Sequence, residues 1–249
     1  KEQSIINNLY EFWHYVGKKS GKLIINTNFQ AIMLAGSDWP KKIFKLKEMA
    51  NKSTLIKEIA GEIKQQKLPN AITLTESVAQ DFSEVLLEEG FLPSIKQQGM
   101  IIKLSDFNPV EADKTYRFTL IENNNDADMF AVIASQSFQY RVDGAIVSSL
   151  LNNKDIKMFI GWYEDIPGFC GLIFYDKSEF AGLHMIGTLP QFRGKGFATI
   201  MTNKLLEECI KDTKEYCVLH ASAAGEPIYS RLGFERVKEV ITYSLKMNS

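Results

Sequence analysis

A mixed α/β fold (α+β class) built from two similar halves is predicted by three observations. Helix-spaced and strand-spaced apolar patterns alternate along the chain, one part of the sequence lays over another, and apolar residues are abundant enough for a large core. Of the 249 residues, 45% are hydrophobic, which suits one large domain or two small ones.

The duplicated pattern opens with "STLIKEIAGEIKQQ" (53–66), whose three-to-four spacing reads as a helix. The apolar run "AITLTES" (71–77) reads as a strand, and "LLEEGFLPSIKQQGMIIKL" (86–104) as a helix end followed by a long strand. Asn-Pro and mixed charges in "SDFNPVEADK" (105–114) break both patterns and mark a linker. The expected division is 1–107 and 108–249.

In the second half "YRFTLIEN" reads as a strand, "DADMFAVIASQSF" and "DGAIVSSLLN" as helices, and "IKMFIGWYED", "FCGLIFYDKSEF" and "AGLHMIGT" as strands. "FATIMTNKLLEECIKDTK" then carries Ile200, Met201, Leu205, Leu206, Cys209 and Ile210 at amphipathic helical spacing. The strand "EYCVLHAS", the short helix "EPIYSRLGF" and the alternating strand "RVKEVITYSLK" close the sequence. Segment 86–104 overlays 229–247 without a gap, bringing Gly90 and Phe91 onto Gly233 and Phe234. With a small shift the match continues backwards, so that helix, strand, helix, strand recurs over about fifty residues.

The 29 basic and 30 acidic side chains leave a net charge of −1, without the footprint of a nucleic-acid partner or an anionic membrane. Residues 1–16, "KEQSIINNLYEFWHYV", lack a signal-peptide pattern, and no apolar run approaches a membrane span. Cys170, Cys209 and Cys217 are odd in number and lack metal-ligand spacing, even with His220 three residues after Cys217. The expectation is a cytoplasmic protein with buried thiols and no metal.

The segment "TLPQFRGKGFAT" (188–199) carries the chemistry. A strand runs through a Pro-containing turn into Gly194 and Gly196 at a helix start, with Arg193 and Lys195 beside them. Helix N-termini leave N–H groups without partners and favour anions, so this arrangement reads as a phosphate cradle. It has neither the three glycines of a dinucleotide fingerprint nor the Lys-Ser or Lys-Thr of a P-loop.

"QFRGKG" fits the Q/R-x-x-G-x-G/A signature of the Gcn5-related N-acetyltransferase (GNAT) superfamily, with Gln191, Gly194 and Gly196 in the signature places. The sequence resembles that family from about 115 to 249, most specifically over 181–234. The resemblance implies tandem GNAT-like halves, each a twisted, mostly antiparallel sheet flanked by helices. It also implies a coenzyme A site at Gln191, Arg193, Gly194, Lys195, Gly196, Phe197, Ala198 and Thr199. Ile186, Gly187 and Thr188 would hold the pantetheine arm and acetyl carbonyl through the backbone, an N–H near Ile186 serving the developing oxyanion.

Ser222 stands where the family places a polar side chain against pantetheine, and equally where a turn needs a cap. Tyr229 matches the general-acid tyrosine, with a buried structural aromatic as the alternative. His184 matches the proton-removing histidine of arylalkylamine N-acetyltransferases, with a structural histidine as the alternative and Glu164, Glu179 or a water chain as other bases.

In the first half Asn51 overlies Gly194, Ser53 overlies Gly196 and Leu86 replaces Tyr229. That half is expected to bind no acetyl-coenzyme A and to wall the acceptor site, with Trp39 and Pro40 reaching it. The expected activity is acetyl transfer from acetyl-coenzyme A to a primary amine of a small molecule or peptide, by direct attack in a ternary complex. The acceptor residues lie around 137–147, and the protein would act as a monomer or homodimer. A non-catalytic acyl-coenzyme A sensor is the alternative.

Overall fold

The computed structural model describes residues 2–47, 51–109 and 115–246. Part of the expected linker, 110–114, lies outside them, as do 48–50 of the segment laid over the glycine loop.

Helix α1 (Glu2–Lys19) buries Ile5, Ile6, Leu9, Phe12, Trp13 and Val16 at three-to-four spacing. Short strands β1 (Leu23–Ile25), β2 (Gln30–Ile32) and β3 (Lys42–Phe44) follow. Next come α2 (Lys52–Lys64), β4 (Ala71–Thr75), α3 (Glu76–Glu88) and β5 (Phe91–Lys103). This is the first of the two recurring series. The second half contains β6 (Tyr116–Leu120), α4 (Asn124–Phe138), α5 (Gly144–Ser148), β7 (Ile156–Tyr163), β8 (Ile166–Tyr175) and β9 (Ala181–Thr188). It ends with α6 (Phe197–Lys211), β10 (Tyr216–Ala221), α7 (Glu226–Arg231) and β11 (Glu235–Leu245).

The eleven strands among the described residues form one sheet in the order β1-β2-β3-β4-β11-β5-β10-β9-β8-β7-β6. Only β3/β4 and β9/β10 are parallel. Each half ends in a strand that lies inside the other half's sheet. β11 pairs with β4 from Val240↔Thr75 to Ser244↔Ala71, and β5 pairs with β10 from Tyr216↔Lys103 to Ala221↔Gln98. Buried Thr73 and Thr242 share a 2.8 Å hydroxyl hydrogen bond across the exchanged seam. The 107/108 division therefore falls between β5 and β6 in sequence, while the sheet interleaves the two halves.

Packing follows the same interleaving. The principal core joins Leu9, Phe12, Trp13 and Val16 of α1 to Phe169, Leu172, Leu183 and Leu219 of the second half. A second core under α2 and α3 includes Tyr243 and Leu245 of β11. No helix among the described residues is long and apolar enough to cross a membrane.

Candidate active site

Parallel pairing of β9 with β10 is confined to Cys217↔Ala181, Val218↔Gly182 and Leu219↔Leu183. Beyond it, His184, Met185 and Ile186 on one strand and His220 on the other border a cleft of about 880 Å³, which also reaches Ser222 and Tyr229. On the opposite side of β9 the register jumps from Leu172↔His184 to Cys170↔Gly187, and Met185 has φ 55°. This bulge leaves Met185 and Ile186 without a register partner on either neighbouring strand. Simple alternation puts His184 and Ile186 on one face; the bulge brings Met185 to the cleft as well.

Leaving β9, the chain makes a short 3₁₀ turn at Pro190–Phe192 and reaches Gly194 (φ 75°) and Gly196 (φ 83°). Those angles suit glycine and strain other residues. A Cβ at either glycine meets nothing within 4 Å, so the loop faces open space. Gly196 caps α6 with no side-chain acceptor, leaving the first-turn N–H groups without a capping side chain.

Arg193 and Lys195 are exposed, but differently engaged. Arg193 Nη2 donates to the Ser137 carbonyl at 2.7 Å, tying the loop to the end of α4, while Lys195 Nζ lies 5.7 Å from the Phe192 ring centre. Gln191 is exposed, and Ala198 and Thr199 are half-buried along the first turn. Phe197 buries its ring against Phe169, Phe192 and Tyr163, so only its main chain serves the loop. Gly187 gives α4 room, because a Cβ there would approach Ser137 Cβ to 2.8 Å. The hydroxyls of Thr188 and Ser137 are buried with no protein partner. Such groups need a hydrogen-bonding occupant. Together with the uncapped helix end, they fit the amides and pyrophosphate of coenzyme A.

Tyr229 is 8% exposed, borders the cleft and packs edge-on against Phe234. Burial pushes its phenol up to about 12, so it stays protonated at neutral pH. Ser222 also borders the cleft, and its Oγ accepts the Gly225 N–H at 3.2 Å, so the turn-capping role is present.

Asn8 of α1 fixes His184. Asn8 Nδ2 donates to Asp176 Oδ2 (3.0 Å) and to the Phe180 carbonyl (3.4 Å), two acceptors that set the amide's orientation. Asn8 Oδ1 therefore faces His184 Nε2 at 3.1 Å, which makes Nε2 the protonated nitrogen and Nδ1 the lone-pair nitrogen. The imidazole stacks on Phe12 with centroids 4.1 Å apart. Burial, aided by His220, lowers its pKa to about 3 and keeps it neutral.

Glu164 and Glu179 sit in turns away from the cleft, and Glu179 faces Lys214 at 3.8 Å. Trp39 borders the cleft, whereas Pro40 is buried beside it without lining it. From 137–147, Phe138 and Tyr140 line it. Burial pushes the Cys170 thiol up to about 12, which leaves it a packing residue.

Asn8, Phe12, Trp13, Lys42 and His220 escaped sequence reasoning as site residues. All except His220 come from the first half, far along the chain from the glycine loop. The duplication, with its expectation of a dimer-like wall, was the available signal.

The parallel β9/β10 pairing thus ends at Leu219↔Leu183, a bulge follows it, and the same strand leads through the loop to a glycine-capped helix. An acetyltransferase (GNAT) domain profile matches residues 115–243, and the chain belongs to that family. A comparison with curated proteins finds no match. Among solved structures, a GCN5-related N-acetyltransferase from Kribbella flavida is similar, with TM-score 0.71 and 12% identity over 94% of this chain and 96% of that one. Another, from Sphaerobacter thermophilus, gives TM-score 0.62 and 12% identity over 86% and 75%. A tandem GNAT protein from the clavulanic acid biosynthesis pathway gives 0.58 and 9% over 89% and 79%. At these identities the likeness concerns the fold.

Proposed function

We propose that the chain is an acetyl-coenzyme A-dependent N-acetyltransferase whose second half, 108–249, holds the cofactor and whose first half, 1–107, is a degenerate GNAT-like unit completing the acceptor site. The observation that supports this reading is a succession along one stretch of chain: the parallel β9/β10 pairing ends at Leu183, the Thr188 hydroxyl is orphaned, and α6 starts uncapped at Gly196.

Bound acetyl-coenzyme A supplies an acetyl group activated as a thioester. First-turn N–H groups from Gly196 to Thr199, with Lys195, hold the pyrophosphate charge, and Gln191 flanks the loop. Arg193 holds the loop against α4 through Ser137 and stands beside the same charge. Main-chain groups of Ile186 and Gly187, the Thr188 hydroxyl and Ser222 line the pantetheine path. An N–H at the Ile186 bulge stabilises charge growing on the acyl oxygen.

A primary amine of a small molecule or peptide attacks while donating a hydrogen bond to His184 Nδ1, and because burial keeps that imidazole neutral down to about pH 3 the proton leaves through a water chain rather than resting on the ring. Tyr229 Oη gives its proton to the departing sulfur. Both partners attack and leave within one ternary complex, so no side chain is acylated. Asn8 acts through His184 as a positioning residue, keeping the lone pair on Nδ1.

The test is thiol release from acetyl-coenzyme A with an amine panel. Turnover by wild type, reduced about 100-fold in kcat by Tyr229→Phe, is expected. Tight cofactor binding with equal rates in both proteins would instead favour a non-catalytic acyl-coenzyme A sensor.

A further inference from the structure

The cleft carries a lysine, Lys42, that the transfer chemistry above leaves unused. Lys42, on β3 of the first half, lines the cleft together with His220 and His184 of the second. Its ammonium lies 4.3 Å from the Trp13 ring centre, a cation–π contact, and has no carboxylate partner among the described residues. The groups interact across the seam: Lys42 lowers the pKa of His220, and His220 lowers that of His184, each adding to burial. Burial also brings Lys42 down to about 8.

The remaining charged groups of the cleft are Lys41 and Asp38. Asp38 is exposed, and its Oδ2 accepts the Arg141 N–H at 2.9 Å. Within the lining, the cations thus outnumber the carboxylate, neither lysine has a carboxylate partner among the described residues, and Lys42 is the more withdrawn of the two. An ammonium taken from water without an anion is costly, and an incoming anion removes that cost. A polycationic acceptor, such as a polyamine or an aminoglycoside, would meet repulsion at the same place.

We infer that Lys42 is the anchor for a carboxylate on the acceptor, so that the substrate is an amino acid or another small amine bearing an acid group. The inference rests on the acetyltransferase reading and names its substrate class. Lys42 presents one compact ammonium, a single charge that matches the single charge of a carboxylate. The seam location gives the first half a chemical role, because it supplies the specificity element while the second half supplies the transfer machinery. The Trp13 ring faces the Lys42 ammonium, and Trp39 and Tyr140 line the same cleft.

The experiment uses the full chain and two readouts. Thermal-shift titrations with the twenty common amino acids, each paired with its methyl ester, measure binding for wild type, Lys42→Met and Lys42→Arg. Thiol release with the same compounds measures turnover. At least one acid should bind at least tenfold more tightly than its ester. Lys42→Met should abolish that preference without changing ester binding, and Lys42→Arg, which keeps the charge, should retain most of it. Ester binding in Lys42→Met also shows that the variant is folded. No acid binding to wild type, or equal binding of acids and esters, overturns the carboxylate anchor. Acid preference without thiol release would leave the anchor standing and bring down the transferase reading.

Discussion

Helices α2 and α6 occupy matching places in the two halves and begin in opposite ways. At α2, Asn51 Oδ1 accepts the Thr54 N–H at 3.2 Å, so the helix end is closed by its own side chain. At α6 the cap is Gly196, with no side chain and open space beyond it. The difference extends to the following helix, where fully buried Leu86 of α3 stands in place of cleft-lining Tyr229 of α7. One half has a helix end that an anion can occupy; the other packs the matching positions and sends Phe12, Trp13 and Lys42 to the cleft, with Asn8 behind His184.

The largest expected effect on this contrast comes from Gly194→Asp/Gly196→Asp. Acidic side chains at two positive-φ positions, facing the proposed pyrophosphate, should weaken acetyl-coenzyme A binding at least 100-fold. Next in size is Tyr229→Phe against Leu86→Ala. The first should cost about 100-fold in kcat with little loss of stability. The second opens a cavity worth about 2–5 kcal/mol and should lower the melting temperature with kcat nearly unchanged. A large kcat loss in Leu86→Ala would erase the distinction between the halves.

Asn8→Ala should lower kcat about tenfold while leaving the KM for acetyl-coenzyme A unchanged, because it frees the His184 tautomer rather than the cofactor loop. Imidazole ¹⁵N spectra check the cause: wild type should show the Nε2–H form alone, and the variant a mixture. A single unchanged tautomer would remove Asn8 from the mechanism.

Smaller effects concern stability. In the folded chain His184 and His220 stay neutral down to about pH 3, while unfolded histidines protonate near pH 6.5. Between those values the unfolded state binds more protons, so stability falls as pH drops. His220→Gln should flatten the decline in melting temperature between pH 7 and 4.5; an unchanged slope would contradict the depressed pKa. Asn51→Ala should remove a cap worth about 1 kcal/mol and lower the melting temperature by about 2–4 °C, with cofactor binding intact.

Much of this contrast was legible in the sequence because it is local. The "QFRGKG" loop, the strand "AGLHMIGT" and the helix after Gly196 appear where spacing put them, since each is set by backbone conformation and periodicity within a few residues. The exchange of β5 and β11 was not legible. Both strands alternate as any half-buried strand does, and nothing in that alternation names the neighbour. The same limit hid the cleft's other wall: Asn8 and His184 are 176 positions apart, and only tertiary packing joins them. Met185 at positive φ also broke the alternation that placed Ile186.

The central claim is that a single helix end, at α6, takes the cofactor. Isothermal titration of acetyl-coenzyme A into the full chain tests it most directly, using wild type, Gly194→Asp/Gly196→Asp and Asn51→Ala. The account predicts one site per chain, lost in the glycine variant and unchanged in Asn51→Ala. Two sites per chain, or one site that survives the acidic loop, would contradict it.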